Sequence, residues 1–190
     1  MHLPLILTSL LLALPPQLSE FLSCEVAVNI VAMGSTFRLY GEMSMNAKQD
    51  MLFLALYGDN PQRYWYKTNL TVVVAPNSYM MLGIWKLQDG VCDLKTVSPD
   101  QIPPLTLPAN SAYRGNKTVS GKNCEVWRVA DPYPGVEYVD VSISENNIYL
   151  LESQAWTFSD GMFGVATTIA LTKHNNSEPS NSVFRTPEGC

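Results

Sequence analysis

The sequence feature that most constrains the fold is a set of three strand-like segments between residues 135 and 172. In the first segment Val139, Val141 and Ile143 alternate with polar residues, which is the two-residue period of a strand with one buried face. Two short segments rich in Asn, Asp, Ser and Gly separate the three, and such residues accept the backbone angles of tight turns. The pattern therefore predicts an antiparallel meander.

Residues 63–75 show the same strand-like alternation and indicate which face of the predicted sheet points inward. Asn69 opens an N-glycosylation sequon at an odd-numbered position, and a glycan must face solvent. The even-numbered positions, which hold two tyrosines and three aliphatic residues, are therefore predicted to form the inner face. If that parity holds, this strand supplies apolar side chains to the interior.

The remaining segments indicate nine or ten strands and no convincing amphipathic helix. Residues 98–109 hold four prolines and are interpreted as a crossing loop, and the polar residues 110–123 are interpreted as a loop as well. We expect a mainly β fold with few or short helices, in the form of a sandwich, a barrel or a strongly curved antiparallel sheet.

The N-terminal residues predict export. Residues 1–19 have a short apolar core that ends at two prolines, which is typical of a secretory signal peptide, with cleavage near Ser19 or Ser23. The core is too short to span a bilayer, so no transmembrane segment is expected. Residues 20–190 then form a single domain that is secreted, with the lysosomal lumen as an alternative. The formal net charge of −5 and the absence of a basic stripe argue against nucleic acid as a partner.

Export makes disulfides and glycans available. The four cysteines Cys24, Cys92, Cys124 and Cys190 are widely spaced, which favours disulfides over a metal site and permits three connectivities. Sequons occur at Asn69, Asn116 and Asn175.

The sequence gives little support for catalysis. His174 is the only histidine after the signal segment and lies in a polar stretch, where a surface position is expected. Neither a nucleophile elbow nor a glycine-rich nucleotide loop is present, so we predict no enzyme activity and no cofactor. A hydrolase that uses a carboxylate pair is kept as a lesser alternative.

The supply of aromatic and aliphatic residues exceeds what one face of a flat sheet needs. A curved sheet with an apolar concave face would accommodate it, and such a face can hold a hydrophobic small molecule or lipid. The residues predicted by parity to line that pocket are Tyr64, Tyr66, Leu70, Val72, Trp85, Val139, Val141 and Trp156. The alternative is an extracellular structural or adhesive protein whose apolar face is a dimer interface.

Several motifs in order resemble one known family. They are a cysteine after the signal, GVCDLKTV, a loop with IPP and LPANSAYRG, CEVWRV, SENNIYLLES and the ending SVFRTPEGC. Together they resemble the ependymin-related secreted glycoproteins, whose fold is similar to the bacterial lipoprotein-carrier (LolA-like) half-barrel.

The resemblance implies a curved sheet with a deep lipid-binding pocket, glycosylation, calcium association and dimers. It also implies a Cys92–Cys190 disulfide. In the family the first cysteine pairs with one in the strand where this chain has Ile148 or Tyr149, so Cys24–Cys124 follows here only by exclusion and departs from the family pattern.

Overall fold

The computed structural model describes residues 15–32, 34–49, 51–60, 63–76, 82–88, 91–97, 107–133, 135–157, 163–188 and 190. These contain eleven strands and two short 3₁₀ helices, Ala47–Gln49 and Asn181–Phe184. The strands are β1 (Phe21–Ala32), β2 (Ser35–Asn46), β3 (Met51–Asn60), β4 (Arg63–Pro76), β5 (Leu82–Gln88), β6 (Val91–Val97), β7 (Ala112–Val119), β8 (Lys122–Tyr133), β9 (Val136–Ser144), β10 (Asn147–Thr157) and β11 (Phe163–Asn175). Within the described part, no helix has the length and apolar character to cross a membrane.

All eleven strands belong to one antiparallel sheet, in the order β6-β5-β4-β3-β2-β1-β11-β10-β9-β8-β7. The first six strands form a meander toward one edge, and the last five form a meander toward the other. The two meanders meet where β1 pairs with β11, for example Val28 with Ile169. This central pairing joins segments more than a hundred residues apart, and it combines the two meanders into one open sheet.

The predicted meander is confirmed as β9, β10 and β11. The loop between β9 and β10 consists of Glu145 and Asn146, both with positive φ, which is the backbone of a two-residue hairpin turn. The prediction of a loop over residues 110–123 is wrong, because β7 lies there. β7 is an edge strand exposed on both faces, so its polar composition concealed it.

Two glycines allow the sheet to bend sharply between β2 and β3. A Cβ atom on Gly41 would overlap the backbone carbonyl oxygen of Ala55, and one on Gly58 would overlap that of Arg38. Backbone atoms cannot move aside as a flexible side chain can, so only glycine permits this close approach. The predicted strong curvature thus has a local cause in β2 and β3.

The C-terminal segment crosses the convex face of this sheet. Phe184 is only 5% exposed and packs with Met51 of β3 and Val73 of β4. Beyond it, a disulfide joins Cys190 to Cys92 in edge strand β6. The ending that contributed to the family resemblance therefore works as a strap, and the predicted Cys92–Cys190 bridge is confirmed.

The second predicted bridge, Cys24–Cys124, is wrong, since both residues are buried free thiols. Three strands, each about 4.8 Å wide, lie between β1 and β8. The two side chains also belong to opposite faces, because Cys24 packs in the concave cluster whereas Cys124 alternates along β8 with the concave residue Trp127. A disulfide needs Cα atoms within about 7 Å.

Candidate functional site: an apolar cavity in the concave face

The concave face holds a partly open cavity of about 340 Å³. Its wall is formed by six neighbouring strands, β3, β2, β1, β11, β10 and β9, together with the β9–β10 turn and short segments at residues 18–19 and 107. The wall residues are Leu18, Ser19, Leu22, Val26, Val28, Met43, Met45, Leu52, Leu54, Leu56, Leu107, Val141, Asn146, Asn147, Ile148, Leu151, Ile169 and Leu171.

Strand register explains why these side chains meet. Directly paired residues of antiparallel strands point to the same face of the sheet. The apolar positions of one strand therefore lie beside those of the next strand. One such row of paired positions crosses five strands through Val28, Ile169, Leu151, Val141 and Trp127. The concave apolar surface is the sum of such rows.

Curvature then brings distant strands around one space. β3 and β9 are five strand steps apart, which would separate them by roughly 24 Å in a flat sheet. Leu54 of β3 and Val141 of β9 nevertheless line the same cavity. The bend at Gly41 and Gly58 contributes directly to this approach.

Two segments outside the strands also border the cavity. Leu18 and Leu107 both pack against the cluster around Trp127 and Val141. The backbone N–H of Ser19 donates to the carbonyl oxygen of Asn146 at 2.9 Å, which ties the N-terminal segment to the β9–β10 turn. These segments narrow the opening that the sheet alone leaves.

The cavity offers no charge from its wall. Fifteen of the eighteen wall residues are apolar, the other three are Ser19, Asn146 and Asn147, and none has an ionisable side chain. Cys24, in the same concave cluster, stays a neutral thiol because burial raises its pKa to about 11. Such a surface suits hydrophobic matter rather than an ion.

Of the predicted pocket residues, Val141 lines the cavity, and Val139 packs beside it against the Trp127 cluster. The backbone register pairs Leu70 with Leu56 and Val72 with Leu54, both of which are wall residues. It pairs Trp85 with Val73 and Trp156 with Gly164, and neither Val73 nor Gly164 lines the cavity. The side chains of Tyr64, Tyr66, Leu70, Val72, Trp85 and Trp156 lie outside the described part, so their predicted roles stay predictions.

Most wall residues were not predicted, although a signal for them existed. Leu22, Val26 and Val28 alternate with less buried residues along β1, and Met43 and Met45 share the two-residue spacing of one strand face along β2. The alternation of β1 begins directly after the signal-like segment and was interpreted only as a short strand. Trp127, which is 2% exposed, was likewise missed as the base of the adjoining cluster.

The two sequon asparagines whose side chains are described are exposed to solvent. Asn116 in β7 and Asn175 at the end of β11 are exposed. The side chain of Asn69 is not described, but its paired residue Tyr57 is 60% exposed. His174 has a structural role, because its Nε2 hydrogen-bonds the carbonyl oxygen of Ile148 at 2.7 Å and its ring lies 4.4 Å from that of Tyr149.

Comparison with known proteins gives distant structural similarity. No family model and no curated protein matches the chain. A DUF1329 family protein from Desulfovibrio piger is similar over 88% of this chain and 90% of its own, with 11% identity and a TM-score of 0.40. An outer membrane lipoprotein-sorting protein domain from Vibrio parahaemolyticus is similar over 82% and 84%, with 8% identity and a TM-score of 0.37. Neither similarity identifies a family or a ligand, and the relation to ependymins stays a hypothesis.

Proposed function

We propose that this protein binds a hydrophobic, lipid-like ligand in the concave cavity and performs no catalysis. One observation carries the proposal: a space of about 340 Å³ is lined almost entirely by aliphatic side chains and Met, without one ionisable group. Binding pockets for small molecules typically measure about 300–1,000 Å³ and are mainly apolar.

Energetics argue that this space is not a packing defect. Protein interiors are close-packed, and an enclosed empty cavity destabilises a protein by about 24 cal/mol per Å³. The space is partly open to solvent, so a ligand that fills it would displace water from apolar walls and stabilise the folded state.

The proposal places this binding protein outside the cell, with residues 1–19 removed as a signal peptide and glycans at the sequons. The start of β1 supports cleavage near Ser19 rather than Ser23. Cleavage after Ser19 would remove Leu18 and Ser19 from the border of the cavity but leave all of β1 in place, whereas cleavage after Ser23 would also remove the buried wall residue Leu22 and the first residues of β1. Intact-mass measurement of the secreted protein decides between these sites.

The direct test is native mass spectrometry and lipid extraction of protein secreted from a eukaryotic host, followed by titration with a fluorescent long-chain lipid. A matched pair of variants uses the same substitution on opposite faces of β1. Val28 lines the cavity and is 7% exposed, whereas Val31 is 41% exposed on the other face. We expect Val28→Phe to weaken lipid binding at least about tenfold by occupying the space, and Val31→Phe to leave binding unchanged.

Protein that carries no lipid and takes up none would contradict the proposal. In that case the alternative, an adhesive protein that pairs through its apolar face, is examined by light scattering at low concentration. A stable dimer without an accessible pocket would support that alternative.

A further inference from the structure

The row of concave apolar side chains continues beyond the cavity to the edge of the sheet. Val141 lines the cavity and is paired with Trp127 of β8, which in turn is paired with Tyr113 of β7. The ring centres of Tyr113 and Trp127 are 5.4 Å apart. Trp127 is 2% exposed, whereas Tyr113 is 48% exposed. The row therefore ends at β7 in an aromatic ring that is half open to solvent.

A bulge in β7 turns a sequon asparagine toward this same face. The register shifts between Tyr113 and Gly115, and Gly115 has a φ of 110°, a backbone conformation that favours glycine. Because of the extra residue, Asn116 is paired with Glu125, which shares a strand face with Trp127. Without the bulge, Asn116 would point to the convex side. A glycan on Asn116 would therefore leave the chain on the concave side of the sheet edge.

Two side chains beside Asn116 match the chemistry of a sugar. The Tyr113 hydroxyl donates to Oδ1 of Asn116 at 3.0 Å, which leaves Nδ2, the atom that carries an N-linked glycan. The Glu125 carboxylate accepts a bond from Nε1 of Trp127 at 3.1 Å and can accept further bonds from hydroxyl groups. A pyranose ring presents an apolar C–H face and polar hydroxyl groups, so an aromatic ring beside a carboxylate suits both.

The position of β7 favours a glycan over a second copy of this chain as the occupant. β7 is the last strand of the sheet, and an exposed edge strand invites pairing with another chain. The bulge interrupts the regular backbone that such pairing needs, and a glycan on the strand would obstruct it further. Lys117, the next residue, forms its ion pair with Glu152 on the convex side. The concave side of β7 is thus left to uncharged contacts around Tyr113.

We infer that the first sugar of an N-glycan on Asn116 packs on the ring of Tyr113 and covers the β7 end of the concave face. This inference rests on the export and glycosylation that the proposed function includes, but not on lipid binding. Tyr113 lies two strand steps from Val141, which is roughly 10 Å. The glycan therefore covers the concave face beside the cavity without filling it.

Hydroxyl-radical footprinting of the secreted protein measures how far the Tyr113 ring is covered. Thr118→Val removes the sequon but keeps Asn116 and its hydrogen bond to Tyr113. We expect oxidation of Tyr113 to become at least about threefold faster in this variant, because the ring loses its cover. An endoglycosidase that leaves one sugar on each asparagine should keep the rate within about twofold of that in the fully glycosylated protein, since the first sugar remains.

Two controls separate this effect from a general change in the protein. Ser177→Ala removes the sequon of Asn175 and should leave the oxidation rate of Tyr113 unchanged. Tyr40 is 47% exposed and is paired with Tyr57 on the convex face. Its oxidation rate should be the same in all of these proteins.

The reciprocal test follows the release of the glycan. Tyr113→Ala should make release of the Asn116 glycan from the native protein by an N-glycosidase at least about fivefold faster, because the first sugar is no longer packed. Release at Asn175 should stay unchanged, which also shows that the variant is folded. Tyr40→Ala, the matched control, should alter neither rate.

An Asn116 without a glycan, or equal oxidation of Tyr113 with and without it, would overturn this inference and leave lipid binding as proposed. Protection of Tyr113 that increases with protein concentration in Thr118→Val would also overturn it, and would indicate that a second copy covers β7. Failure to take up lipid by protein whose Tyr113 is protected would contradict the proposed lipid binding and leave this inference intact.

Discussion

The two faces of this single sheet differ in side-chain chemistry and in what covers them. Both are built from the same strands, yet the concave face is apolar and encloses space, while the convex face is mostly polar and carries a strap. A typical sheet buries its apolar face against a second layer. Among the described residues the concave face is covered instead by its own curvature and by Leu18 and Leu107, which leaves a cavity where a second layer would have packed.

The convex face depends on cross-strand polar pairs. Arg128 of β8 donates two hydrogen bonds to Asp140 of β9, both at 2.6 Å, and its guanidinium lies 3.7 Å from the ring centre of Tyr138. Lys117 of β7 forms an ion pair with Glu152 of β10 at 2.7 Å. The first pair links the neighbouring strands β8 and β9, the second reaches across β8 and β9 to β10, and neither needs a covering layer. The convex face is thus held by polar pairs and by the strap, while the concave face provides the apolar space to which we assign binding.

A substitution in the strap is expected to have the largest effect on stability without an effect on lipid binding. Phe184→Ala removes a buried aromatic side chain from the convex cluster and should lower the free energy of unfolding by about 3 kcal/mol, while lipid affinity stays unchanged. Tyr57→Ala, at a position 60% exposed on the same face, should change stability by no more than about 0.5 kcal/mol. Urea denaturation and lipid titration measure both quantities. If Phe184→Ala abolished binding in the folded protein, the two faces would not be independent.

A smaller effect that should reach both faces is expected at the bend. Gly41→Ala forces a Cβ atom against the β3 backbone, so we expect a loss of about 2 kcal/mol and weaker lipid binding, because β3 carries part of the wall. Glu42→Ala changes the next residue, which is exposed, and should alter neither quantity. A Gly41→Ala protein with normal stability and affinity would mean that the bend does not depend on this glycine.

The smallest effect concerns the two thiols. Under non-reducing conditions we expect one disulfide, Cys92–Cys190, and two thiols that react with a maleimide only after unfolding. Burial raises the pKa of Cys24 from 9.0 to about 11, so the unfolded chain loses this proton first. The associated stability is present below pH 9 and is lost as pH rises toward 11. Cys24→Ala should show a shallower decline over that range, and an equal decline in both proteins would refute the assignment.

Local sequence patterns were sufficient for much of the fold. The two-residue alternation in β9 and the turn residues after it predicted the meander, because strand facing and turn backbone depend on near neighbours. The same locality explains the failures. β7 has no apolar face to reveal it, and the pairing of Cys24 with Cys124 was inferred without knowing that three strands separate them.

The candidate site required the tertiary structure. Alternation indicates that Val28 and Val141 each lie on one face of a strand, but it does not say that β1 and β9 curve around one space. Asn147 appeared as a turn residue in the sequence, and only the folded chain shows that it lines the cavity. The sequence by itself determined which residues alternate and where the chain turns. The tertiary structure decided which strands are neighbours, how far the sheet bends and which side chains share the cavity, because these depend on contacts between distant residues.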